Sequence, residues 1–138
     1  MNNSNEYINS LLIKNGYEKD KSGIYKSGRG GYWSNLNKEE NQKFIQLLKD
    51  RPALDAVREV IPEMEKHIYS VKREAALELL EVNKGDVCID YGCMWGVLSI
   101  GMAKRGANVL SFDQTQESLE FLNARIKQDE FDTVTCIQ

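Results

Sequence analysis

Apolar positions in the last part of the chain fall in short blocks. Val87-Cys88-Ile89 is an uninterrupted run that ends in Asp90, Ala107 to Phe112 is a second that ends in Asp113, and Thr133 to Ile137 is a third. Between them, Gly96 to Arg105 and the stretch after Thr115, with Leu119, Leu122 and Ile126 on one face, carry helical spacing. Strand, helix, strand, helix, strand predicts parallel pairing through right-handed crossovers, with all strand carboxyl ends on one edge. The expected fold class is α/β, with a three-stranded parallel sheet in this part of the chain.

The pattern before residue 83 is helical. Tyr7, Ile8, Leu11 and Leu12 define a helix over Ser4 to Lys14, stopped by Asn15-Gly16. Tyr17 to Lys19 and Ile24 to Lys26 predict a small hairpin around Asp20-Lys21-Ser22-Gly23. Further helices are expected at about 38–49, 52–60 and 63–82, with Pro52 and Pro62 each at a first turn. In the last of these, Ile68, Val71, Ala75, Ala76, Leu79 and Leu80 form an apolar stripe expected to lie across the sheet. The organisation is thus an N-terminal helical or lid region, 1–82, followed by a sheet region, 83–138.

Ser27 to Asn35 is the densest glycine segment. It reads as a linker, because a phosphate loop needs a preceding strand and a lysine-serine pair after it. The alternative is a backbone and Arg29 wrapped around a phosphate. Tyr32 and Trp33 are expected to pack onto the helices, or else to line a substrate mouth.

Composition narrows the classes. With 138 residues the chain is of single-domain length, and a net charge of −3 with 28% charged residues gives no basic face for bulk nucleic-acid binding. Cys88, Cys93 and Cys136 lie in or beside predicted strands, which fits a reducing compartment, and no run approaches a membrane span. A cytoplasmic location is the expectation.

Asp90, Gly92, Gly96 and Asp113 share the strand-end edge. A doubly wound sheet uses an acid at the end of its second strand to hold ribose hydroxyls, which is the place of Asp113. The alternative is that Asp113 only begins the next helix. The first turn runs Asp90-x-Gly92-x-x-x-Gly96, unlike the Gly-x-Gly-x-x-Gly of dinucleotide sites. An acid there disfavours a pyrophosphate and favours a ligand with an ammonium or sulfonium beside an adenosine.

On these residues, 87–125 resembles the front half of a class I S-adenosylmethionine-dependent methyltransferase. Asp90-Tyr91-Gly92-Cys93-Met94-Trp95-Gly96 is similar to the family's Asp-x-Gly-Cys-Gly-x-Gly, and Ser111-Phe112-Asp113-Gln114-Thr115, followed by Leu119, Leu122 and Ala124, to its second motif. The resemblance implies a partial Rossmann-like sheet with S-adenosylmethionine as cofactor. Gly92 and Gly96, with Cys93 in the same turn, would let the backbone approach its methionine part, Asp90 would orient the turn or meet the amino group, Asp113 would hold the ribose, and Gln114 would flank the adenine. Tyr69 and Arg73 are weaker candidates for the methionine carboxylate, with ordinary helix-surface roles as the alternative.

The chain departs from the family pattern in two places. Met94 replaces the middle glycine, at a strain of about 1–2 kcal/mol if the position is left-handed. The chain also stops at the third strand, which implies a fragment inactive by itself, lacking the acceptor side. The first strand is then expected to be an open edge, prone to self-association or disorder unless the N-terminal helices cover it. His67, beside the apolar stripe, is expected to have a structural or surface role, with catalysis as the alternative. Two other readings stand beside the methyltransferase one: an NAD- or nucleotide-binding unit, and a noncatalytic interaction module. The methyl acceptor is not readable from these residues.

Overall fold

The computed structural model describes residues 3–26 and 36–138. The glycine-dense stretch Ser27 to Asn35 lies outside the described residues. Helix α1 (Asn3–Lys14) leads into the hairpin β1 (Glu18–Lys19) and β2 (Tyr25–Lys26). Then follow α2 (Lys38–Asp50), α3 (Ala53–Val60), a 3-10 turn (Pro62–Met64) and the short helices α4 (Glu65–Ile68), α5 (Val71–Glu74) and α6 (Ala76–Leu79). The sheet region is β3 (Val87–Tyr91), α7 (Val97–Lys104), β4 (Asn108–Phe112), α8 (Gln116–Gln128) and β5 (Val134–Ile137).

The sheet order is β1-β2-β5-β4-β3, so it has five strands rather than the three expected from the apolar blocks. The hairpin joins it because Tyr25 pairs in parallel with Ile137, and Gln138 donates its N–H to the Tyr25 carbonyl. Two-residue strands carry too little pattern to reveal that pairing in advance. The hairpin loop is tied down as well, since Asn123 and Lys127 of α8 both donate to the Ser22 carbonyl. Within the loop, Asp20 accepts the N–H groups of Ser22, Gly23 and Ile24 on one oxygen.

A second correction concerns residues 63–82. The expected single helix is broken into a 3-10 turn and three short helices, with Ser70 extended at φ −80°, ψ 110°. Breaking the helix rotates its stripe out of register. Ile68 stays buried and Leu77 becomes the sheet-side anchor, while Val71, Leu79 and Leu80 stand exposed.

Two apolar clusters share the work of holding these layers. One lies between the sheet and α7 and α8, from Ile100, Val109, Leu119, Leu122 and Val134 with Ile24 of the hairpin. The other lies beneath α2, α3 and α4 and is built on Phe44, Val57, Ile61 and Ile68 around Trp95 and Phe121. Trp95 meets Phe44 and Phe121 edge-on at centroid distances of 5.9 and 5.5 Å. Through Trp95, with Met94 packed beside it, the turn after β3 is anchored to the N-terminal helices. Burying an aromatic side chain of this size contributes roughly 1.5–3 kcal/mol or more.

Candidate functional site

The strand-end edge of β3 and β4 is stitched together by backbone bonds. Gly92 and Cys93 both donate to the Phe112 carbonyl, at 2.8 and 2.9 Å, and Gly96 closes the turn by donating to Cys93 at 2.8 Å. Three residues of the turn are left-handed: Gly92 at φ 79°, Met94 at φ 46° and Gly96 at φ 73°. The middle one carries a side chain, so the strain foreseen for Met94 is present in the geometry, at about 1–2 kcal/mol.

Asp113 offsets that strain. One of its oxygens accepts the Met94 N–H at 2.7 Å and the other accepts the Thr115 N–H at 2.8 Å. A single carboxylate at the end of β4 therefore fixes both the turn after β3 and the start of α8. Each oxygen keeps a second lone pair, which leaves Asp113 able to accept hydroxyls from a ligand.

Asp90 is held differently. The Ser99 hydroxyl donates to it at 2.6 Å, and the Ser111 hydroxyl donates to Ser99 at 2.8 Å. Both serines are fully buried, so a hydroxyl chain runs from β4 through α7 to the acid of β3. Neither serine was singled out by sequence pattern. The usable signal was Ser99 itself, a hydroxyl inside the apolar run of α7.

A cleft of about 210 Å³ opens beside this turn, lined by Arg73, Asp90, Gly92, Cys93, Met94, Trp95, Val97 and Leu98. Gly92 is exposed and would leave open space around an added Cβ, so a ligand can approach its backbone. Val97 and Leu98 begin α7, and their N–H groups belong to the unpaired first turn that attracts negative charge. Arg73 of α5 is exposed at the rim and makes no ion pair among the described residues.

The remaining candidates lie around this cleft in different ways. Cys93 faces the core at 6% exposure, and burial together with the nearby Asp90 pushes its thiol far above the ordinary range. Gly96 is buried against α8, where an added Cβ would lie 2.2 Å from the Leu122 side chain. Asp113 sits beyond the cleft lining, half-buried, and Gln114 next to it is exposed, with its carbonyl accepting from the Gln138 side chain at 3.2 Å. Tyr69 is turned away from the cleft and packs under the Arg125 guanidinium, 4.6 Å from the ring centroid. Burial raises its phenol. His67 is exposed on α4, and no group of metal-binding side chains occurs among the described residues.

The cleft brings an acid, a guanidinium and the start of a helix to one lining. Asp90 matches an ammonium, while Arg73 and the opening of α7 match a carboxylate. Its volume is below the ~300 Å³ at which pockets begin to enclose a whole drug-sized ligand, so the cleft takes only one end of a ligand of that size.

No family model matches the chain, and no curated protein sequence does either. Among solved structures it is similar to an S-adenosyl-L-methionine-dependent methyltransferase assignment from Methanococcus maripaludis, at 19% identity and a TM-score of 0.48, over 78% of this chain and 45% of that one. It is also similar to MtNAS in complex with MTA and tNA, at 14% identity and a TM-score of 0.46, over 73% and 38%. The chain spans less than half the length of either structure. No described helix is long and apolar enough to cross a membrane. By its own strand order, parallel pairing and helical layer, the chain has a Rossmann-like α/β fold.

Proposed function

We propose that this chain binds S-adenosylmethionine and is the cofactor-holding part of a methyltransferase. The observation that supports this most is the meeting of Asp90, Arg73 and the first turn of α7 on one cleft. A carboxylate on one lining with a guanidinium and a helix N-terminus matches a zwitterionic amino acid, and matches a pyrophosphate poorly.

Each residue then has a defined task. Asp90, oriented by Ser99, receives the ammonium. Arg73 and the α7 N–H groups receive the carboxylate, and the open backbone at Gly92 admits the methionine chain. Cys93 and Gly96 shape the turn from its buried side. Asp113 holds the ribose hydroxyls with the lone pairs that Met94 and Thr115 leave free, and Gln114 flanks the adenine. When bound, the cofactor supplies a methyl group already activated by the sulfonium charge, so alignment matters more than acid–base help.

Among the described residues Asp90 is the one carboxylate lining the cleft, and it already accepts the Ser99 hydroxyl. The residues of this chain therefore orient the cofactor, and the acceptor side lies outside this cleft. Titration calorimetry with S-adenosylmethionine and with methylthioadenosine, which lacks the amino-acid end, tests the assignment. Loss of that end is expected to weaken binding roughly 10- to 100-fold. Equal affinities would contradict the amino-acid cleft.

A further inference from the structure

The acid of the cleft is held from behind by side chains that do not line the cleft. Asp90 and Ser111 are register partners on β3 and β4, so their side chains leave the same face of the sheet. Helix α7 packs against both strands and sets Ser99 between them. The Ser99 hydroxyl donates to one Asp90 oxygen at 2.6 Å, and the Ser111 hydroxyl donates to Ser99 at 2.8 Å. Both serines are fully buried, and neither lines the cleft.

A serine hydroxyl has a single proton to donate. Asp90 takes the one on Ser99, and the bond from Ser111 fills a lone pair of that same serine oxygen. Inside a helix a serine has a competing position, in which it donates to the carbonyl four residues back. For Ser99 that carbonyl belongs to Trp95. The bond from Ser111 favours the rotamer that faces the sheet, so Ser111 decides whether Asp90 keeps its donor.

We infer that Ser111 is a positioning residue for ligand binding in this cleft. Acting through Ser99, it fixes one oxygen of Asp90 and leaves the other, which has no donor among the described residues, to a ligand ammonium. This role rests on the S-adenosylmethionine reading and extends it from the groups that touch the ligand to one that does not.

Two measurements on the full chain test it. In the ligand-free chain, carbon-detected NMR reads the carboxylate carbon of Asp90. Ser99→Ala and Ser111→Ala are both expected to move that signal while the carboxylate carbon of the distant Asp20 stays in place.

Titration calorimetry then reads the consequence. Ser111→Ala is expected to weaken S-adenosylmethionine roughly 3- to 10-fold and to leave methylthioadenosine, which has no ammonium, unchanged. Adding Ser111→Ala to Ser99→Ala is expected to cost no further affinity, because the first serine acts only through the second. An Asp90 signal that Ser111→Ala leaves in place would overturn the inference. So would equal losses for the two ligands, the mark of a general structural defect, or losses that add in the double variant. A wild-type chain that binds neither ligand would contradict the cofactor reading, and the carbon signals of the free chain would still decide whether Ser111 controls Asp90.

Discussion

The carboxylate of Asp113 accepts the backbone N–H of Met94 at 2.7 Å, so the acid that ends one strand holds the strained residue of the turn that follows another. A charge-assisted bond of this kind is worth about 1.5–3 kcal/mol, enough to offset a left-handed backbone at a residue with a side chain. Asp113 thus acts on the shape of the site before any ligand arrives.

Replacing Asp113 should therefore cost both turn and ligand. Asp113→Ala is expected to abolish measurable S-adenosylmethionine binding in calorimetry, and Cys93→Ala, whose thiol faces the core, to change it by no more than a few-fold. Equal losses from the two variants would contradict the roles given to them.

Met94 offers a direct reading of the strain. Its φ of 46° suits glycine and is poor for a β-branched residue. Met94→Ile is expected to lower stability by about 1–2 kcal/mol in urea unfolding, whereas Met94→Gly should be close to neutral, since relief of strain is balanced by packing lost beside the Phe121 cluster. Equal destabilisation by both would show that packing, not backbone, decides this position.

Gly96 is constrained by α8. An added Cβ would lie 2.2 Å from a terminal carbon of Leu122, a side chain with no exposure, and the backbone there is left-handed at φ 73°. Gly96→Ala is expected to cost about 2–4 kcal/mol. Adding Leu122→Ala should produce a smaller total loss than the sum of the single changes, because one removes the clash made by the other.

Asp20 sets a pH dependence. Burial pushes its carboxyl up, but the Ser22 hydroxyl, the Ile24 N–H and Lys26 outweigh that and hold it at about 2, against an ordinary 3.8. A depressed carboxyl stabilises the fold above its unfolded value and loses that contribution as pH falls from about 4 toward 2. The side chain is 30% exposed, so the gain is on the order of 1 kcal/mol after solvent screening. Thermal melts of Asp20→Asn should lie below wild type at pH 7 and converge with it near pH 2.

Much of the sheet region was legible because its signals are local and agree with one another. The run Val87 to Asp90, the turn with Gly92 and Gly96, and the block ending at Asp113 each combine period, breaker and cap. Residues 63–82 misled because helical spacing persists across Tyr69 and Ser70, where the backbone leaves the helix without a glycine or proline to mark it. The fifth-strand architecture was hidden in Tyr25 and Ile137, a contact between distant residues with no local pattern. For the site, the sequence pointed to Asp90 and Asp113 as acids on one edge. The Ser111–Ser99 chain behind Asp90, and the approach of Arg73 to its cleft, depend on how β4, α5 and α7 pack and have no fixed spacing along the chain.

The central claim is a cofactor half-site for S-adenosylmethionine, and a residue-resolved NMR titration of this chain with S-adenosylmethionine, run beside NAD, tests it most directly. Saturable shifts at Gly92, Met94, Asp113 and Gln114 with S-adenosylmethionine alone are the predicted result. Shifts at these residues with NAD alone, or with neither ligand, would contradict it.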